Sequence, residues 1–146
     1  MTRPARNLAL LGFLLLPAAA PAQQQFPVVG AEHVKAWIDG KRRMTLVDSR
    51  TPEEYAQAHL PGSISIPADR TLAEAGRLPR DKGQLVVFYC RGMGCTLSHA
   101  SAAAAARLGH TYLLIYQAGM PDWLLRGYPV ERGWGPSPAA RSGPAR

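Results

Sequence analysis

Cysteine is scarce in this chain, with two residues in 146. A pair cannot staple a disulfide scaffold, and no quartet of Cys and His has the spacing of a structural zinc site. Charge is thin as well: 18% of residues are Asp, Glu, Lys or Arg, against 47% apolar. That balance excludes a disordered acidic or basic chain. A long hydrophobic run is also missing. A transmembrane helix needs about 20 apolar residues, and the N-terminal stretch Leu8–Leu16 has nine. These absences leave one domain of ordinary size with a single core.

The ends of the chain read differently from its middle. Arg3 and Arg6 precede the apolar stretch, and a small-residue segment ending Ala20-Pro21-Ala22 follows it. This is the pattern of a secretory signal over residues 1–22, cleaved after Ala22. It predicts a periplasmic or secreted protein with no stable membrane insertion after cleavage, an uncleaved anchor being the alternative. Residues 23–30 read as a linker. Residues 132–146 are rich in Gly, Pro, Ala and Arg without period and read as a disordered tail.

The formal charge of +7 invites a polyanion, but its distribution does not. Between Gly30 and Glu131 lie 12 basic and 10 acidic residues, a net of +2; the other five arginines sit in the two ends. The most basic run, Lys41-Arg42-Arg43, has no interleaved aromatic residues. It reads as a solvated turn, and no nucleic-acid partner is expected.

Between the ends, helix and strand signals alternate. Ala31–Asp39 has Val34, Trp37 and Ile38 at helical spacing and stops at Gly40. Residues 44–47 form a β-prone run ending at Asp48. Thr51-Pro52-Glu53-Glu54 reads as a helix start with a capping box. Residues 62–67 alternate like a strand, and 70–78 suit a short helix. Gln84–Tyr89 is the continuous apolar run of a strand buried on both faces, leading straight into Cys90. A loop over 91–95 then opens a helix from about Thr96 to Leu108, closed by Gly109. Residues 112–116 read as another buried strand, and a last helix runs through Trp123 to Gly127. The alternation predicts an α/β domain with a largely parallel sheet. In such sheets ligands bind beyond the carboxyl ends of the strands, where Asp48 and Cys90 both fall.

Cys90 carries the chemistry in this reading. Gly92 and Gly94 let the loop curl so that its N–H groups point inward, and the next helix adds its positive end. Both features stabilise a thiolate, and Arg91 adds charge, so a nucleophilic cysteine with a depressed pKa is expected. The alternative is a buried structural cysteine.

Four ordered segments then resemble the rhodanese-like family over residues 31–131. They are Leu46-Val47-Asp48-Ser49-Arg50 with Glu53-Glu54-Tyr55; His59-Leu60-Pro61-Gly62-Ser63-Ile64 through Ile66-Pro67; Val86–Arg91; and Ala118-Gly119 with Trp123 and Gly127-Tyr128-Pro129. The resemblance implies a three-layer α/β domain, with a mostly parallel five-stranded sheet and helices on both faces. It implies sulfur transfer from thiosulfate or a similar donor to a thiol or cyanide through a Cys90 persulfide. The donor-binding loop would be Arg91, Gly92, Met93, Gly94, Cys95 and Thr96, with Asp48 and Arg50 in support. The partners would be a small anionic sulfur donor and a thiol acceptor. No metal or organic cofactor is implied, because loop N–H groups supply the electrostatic stabilisation.

The sequence departs from that pattern in two places. The stretch from Cys90 to Gly109 is longer than the family's usual loop and helix, as in its oxyanion-binding relatives. The arginine that would grip a phosphoryl group is missing, however, and Cys95 stands in its place. An oxyanion enzyme is therefore the weakest reading. Cys95, five residues after Cys90, reads either as a resolving thiol or as a small apolar residue at the helix start. The first reading makes a periplasmic thiol-disulfide or binding module, with a redox protein as partner, the alternative to sulfur transfer. His59 is expected to pack at the turn before Pro61, and His33, His99 and His110 to lie at the surface.

Overall fold

The computed structural model describes residues 25–134. The expected signal segment and nearly all of the expected tail lie outside the described residues. The element order is α1 (Ala31–Asp39), β1 (Thr45–Asp48), α2 (Pro52–Gln57), β2 (Ile64–Ser65), β3 (Val86–Tyr89), α3 (Leu97–Arg107), β4 (Leu113–Tyr116) and α4 (Gly119–Leu125). The strands form one parallel sheet in the order β2-β1-β3-β4. Two 3₁₀ turns, Ala68–Arg70 and Ala75–Arg77, replace the single short helix expected over 70–78.

Alternation along the central strand builds both cores. Val87 and Tyr89 of β3 face a cluster with Ala31 and Val34 of α1 and Met120 and Trp123 of α4. Val86 and Phe88 face the opposite cluster with Ala102 and Ala105 of α3. Side chains alternate across a strand, so a run of four apolar residues is what a sheet covered on both faces requires. The result is a helix–sheet–helix sandwich. Helix α3 buries Ser98, Ser101, Ala102 and Ala105, one face at helical spacing made of small residues. Helix α2 begins as the sequence predicts: the Thr51 side chain accepts from Glu54 N–H, and the Glu54 carboxylate accepts from Thr51 N–H.

Three expectations need correction. Among the described residues the sheet has four strands, not five. The fifth position is filled by a single parallel bridge, Val28 to Ile115, with Val29 N–H donating to Ile115 at 2.9 Å and Ile115 N–H to Pro27 at 2.9 Å. Pro27 has no N–H to extend the ladder, and α1 starts at Ala31, so pairing ends after one bridge. Strand β2 is also only two residues, continued by Ile66 N–H donating to Asp48 O at 3.0 Å. His110, expected at the surface, is 3% exposed. Its Nε2 lies 3.0 Å from Lys82 Nζ, and burial followed by the Lys82 charge lowers its pKa.

At the carboxyl end of β1, Asp48 is fully buried and paired with Arg50, itself 7% exposed. Arg50 Nη2 donates to Asp48 Oδ2 at 2.6 Å and Nε to Oδ1 at 2.9 Å, while Nη2 also reaches Ala58 O at 2.7 Å. The pair thus ties β1 to the end of α2. Removing one partner leaves an uncompensated buried charge, so Arg50→Met is expected to cost about 3–5 kcal/mol. Urea unfolding of Arg50→Met and of the Asp48→Asn/Arg50→Met double variant checks this. The double variant should recover part of the loss, and a single-variant cost under about 1 kcal/mol would contradict the assignment.

Candidate active site

Cys90 follows β3 directly, at the carboxyl end of the sheet's interior. The loop beyond it turns on Gly92 (φ 106°) and Gly94 (φ 84°), with Cys95 N–H donating to Gly92 O at 3.0 Å. Both glycines adopt a backbone that L side chains rarely take, so the sequence dictates this curl. The loop is closed from the other side by α4. Gly119 has φ 62°, and a Cβ placed there would lie 2.3 Å from Cys90 O and 2.7 Å from Gly92 N. Met120 N–H donates to Cys90 O at 3.0 Å.

The expected loop residues Arg91, Gly92, Met93, Gly94, Cys95 and Thr96 follow Cys90 along the curl between β3 and α3. Met93 is 77% exposed at the tip. Arg91 turns away into a two-point pair with Glu54: Nε to Oε1 at 2.8 Å and Nη2 to Oε2 at 2.7 Å. That hydrogen bond, with the capping bond from Thr51, pulls the Glu54 carboxyl down to about 2 against the opposing effect of burial. The charge expected beside the thiolate is therefore matched by a carboxylate. Asp48 and Arg50 lie at the neighbouring strand end, Asp48 opposite Tyr89 in register, and bond to each other.

The thiol itself corrects a second expectation. Cys90 is fully buried, and its Sγ lies 3.4 Å from Ser98 Oγ and donates to Cys95 O at 3.6 Å. Burial raises its pKa, reinforced by the neighbouring Cys95 thiol and opposed by Ser98. The helix end and curled loop do not overcome that desolvation. Cys95 is half-buried, and burial works to raise it too. Hydrogen bonding from Cys90, the N–H groups of Leu97 and Arg91 and the Arg91 charge outweigh that, so its thiol is lowered. The cradle of inward N–H groups thus favours the second sulfur.

Sequence reasoning missed Ser98 and the role of Glu54. Ser98 has no signal in spacing alone; only the register of α3 turns its hydroxyl to Cys90. Glu54 was read as a helix cap, which it is, and its other oxygen contacts come from a residue 37 positions away. His59 is buried, stacks on Tyr55 at 3.7 Å and shares its Nδ1 with Tyr55 O at 2.8 Å, a packing role as expected.

The contact at Gly119 is testable. Gly119→Ala adds a left-handed backbone strain and a clash with fixed backbone, and should cost at least about 2 kcal/mol. Gly127→Ala, also at positive φ (66°) but with open space around it, serves as the control and should cost less. Thermal unfolding of both variants gives the comparison; equal losses would show that the approach to Cys90 is not tight.

A family model described as "Rhodanese-like domain" matches residues 30–126. The chain is 36% identical over 90 residues to an HTH-type transcriptional regulator of Mycobacterium tuberculosis, covering 62% of this chain and 38% of the regulator. It thus spans well under half of that relative's length. It is 31% identical over 102 residues to a sulfurtransferase of Allochromatium vinosum, covering 70% of this chain and 92% of that protein. Thiosulfate sulfurtransferase from Pseudomonas aeruginosa shares the fold with a TM-score of 0.61 and 25% identity, over 74% of this chain and 20% of that one. With its parallel sheet, its cysteine at the end of β3 and a family match over most of the described residues, this chain belongs to the rhodanese-like domain family.

Proposed function

We propose that this protein is a sulfurtransferase in which Cys90 carries the sulfur as a persulfide. The observation that carries this reading is the position of Cys90, between the end of a buried central strand and a glycine-curled loop opening α3. The similarity to a sulfurtransferase along 92% of that protein's length supports it.

With thiosulfate as donor, the Cys90 thiolate attacks the outer, sulfane sulfur. The S–S bond of thiosulfate breaks, sulfite leaves with the bonding pair, and the Cys90 persulfide remains. Cyanide or a thiolate then attacks the terminal sulfur and Cys90 departs as thiolate, so no external oxidant or reductant is consumed. Arg91 is matched by Glu54, so stabilisation of the anions falls to backbone N–H groups and the first turn of α3. In this reading Asp48 and Arg50 are positioning residues that hold the strand end. The N-terminal pattern favours work outside the cytoplasm, with a small anionic donor and a thiol acceptor.

Thiocyanate formation from thiosulfate and cyanide tests the assignment. Cys90→Ser should abolish it, while Cys95→Ser should retain turnover with cyanide; activity surviving in Cys90→Ser would overturn the role of Cys90. A second expectation follows from burial of the thiol. Because the Cys90 pKa is raised, the thiolate fraction is small at neutral pH and grows as pH climbs through and beyond the ordinary cysteine range. Persulfide formation should therefore accelerate with rising pH. A rate already flat from neutral pH upward, read in rapid-mixing experiments, would contradict it.

A further inference from the structure

Cys95 occupies an unusual place for a side chain with no part in the cycle above. It lies on the same tight turn as Cys90, and its own carbonyl accepts the Cys90 S–H at 3.6 Å. The Cys90 sulfur therefore rests against the backbone of Cys95. Their exposure also differs. Cys90 is buried beneath the loop, whereas the half-buried Cys95 lines a groove of about 650 Å³ together with Phe26, Thr96, His99 and Gln117. One sulfur is inside and its neighbour faces out.

We infer that Cys95 is a resolving thiol that attacks the Cys90 persulfide, releasing hydrosulfide and leaving a Cys90–Cys95 disulfide whose exposed end faces the groove. The inference rests on the persulfide reading of Cys90 and adds to it the fate of the sulfur. The Cys95 sulfur bonds to Cys90 Sγ, and the bond between Cys90 Sγ and the terminal sulfur breaks. The terminal sulfur leaves with the bonding pair and takes the proton given up by the Cys95 thiol, departing as HS⁻. The protein is oxidised by two electrons and the sulfane sulfur is reduced to sulfide. A dithiol then regenerates the site: its thiolate attacks the disulfide, and its second thiol completes the exchange.

The groove gives the proposed disulfide a way back to the dithiol. An external dithiol reaches Cys95 from it, so the mixed disulfide forms on the open sulfur and Cys90 is freed as the reduced thiol.

The reaction is read directly by intact mass and sulfide release. Fully reduced protein is mixed with thiosulfate under argon without added thiol, beside a donor-free control. Wild type should lose two hydrogens in mass, form an internal Cys90–Cys95 disulfide and release one sulfide per chain; dithiothreitol should restore it. Cys95→Ser and Cys95→Ala should instead gain one sulfur atom and hold it. A wild-type protein that keeps a stable persulfide and releases no sulfide would overturn the inference while leaving sulfur transfer by Cys90 standing. Absence of any sulfur adduct in the Cys95 variants would overturn both. Equal disulfide formation in the donor-free control would overturn the inference, because the persulfide would then not be its source.

Discussion

Everything at the carboxyl end of this sheet depends on how closely α4 approaches the residue that follows β3. Gly119 is the point of contact: a Cβ there would sit 2.3 Å from Cys90 O, and the next residue's N–H takes that same carbonyl at 3.0 Å. Fixing the carbonyl toward α4 commits the Cys90 side chain to the opposite side, under the first turn of α3, where Ser98 waits at 3.4 Å. Gly92 extends the clamp, since a Cβ there would meet Ala118 O at 3.1 Å and Pro121 at 3.4 Å. The loop is thus gripped between two helices at glycines with left-handed backbones, and its curl is a consequence of packing as much as of local chain preference.

The charges around this clamp are paired off before a substrate arrives. Arg50 is committed to Asp48 and to Ala58 O, and Arg91 to Glu54, which also caps α2. These pairs do mechanical work: the first joins β1 to α2, the second joins α2 to the active loop. Their arginines are poor candidates for binding an anion, because each would first have to abandon a carboxylate. In the sulfur-transfer reading, a chain carrying +7 overall would rely at its site on backbone dipoles.

Much of this architecture was legible in the residues. Local features were read well where the signal is local. The capping box at Thr51 and Glu54, the helix stop at Gly109 and the buried runs of β3 and β4 all involve neighbours within one element. The misreadings share the opposite property. The state of Cys90 depends on how deeply α3 and α4 bury it, and the isolation of Arg91 depends on Glu54, brought in from another helix. His110 is buried because the turn after α3 folds it onto Lys82. The fifth strand, implied by family likeness, is cut to one bridge by Pro27 and the start of α1. Spacing reports periodicity, while desolvation belongs to the assembled layers.

The alanine-rich stretch of α3 connects those layers to the chemistry. Its buried side chains, Ser98, Ser101, Ala102 and Ala105, are all small. Small residues let a helix settle close to a sheet, and a close helix brings its first turn over the end of the adjoining strand. That proximity places the Ser98 hydroxyl on Cys90 and aims the Leu97 N–H at Cys95. It also excludes water from Cys90, and that burial raises the thiol's pKa. A larger residue at Ala102 or Ala105 would lift the helix and loosen both effects together. The small residues of α3 therefore set how closely its first turn covers Cys90.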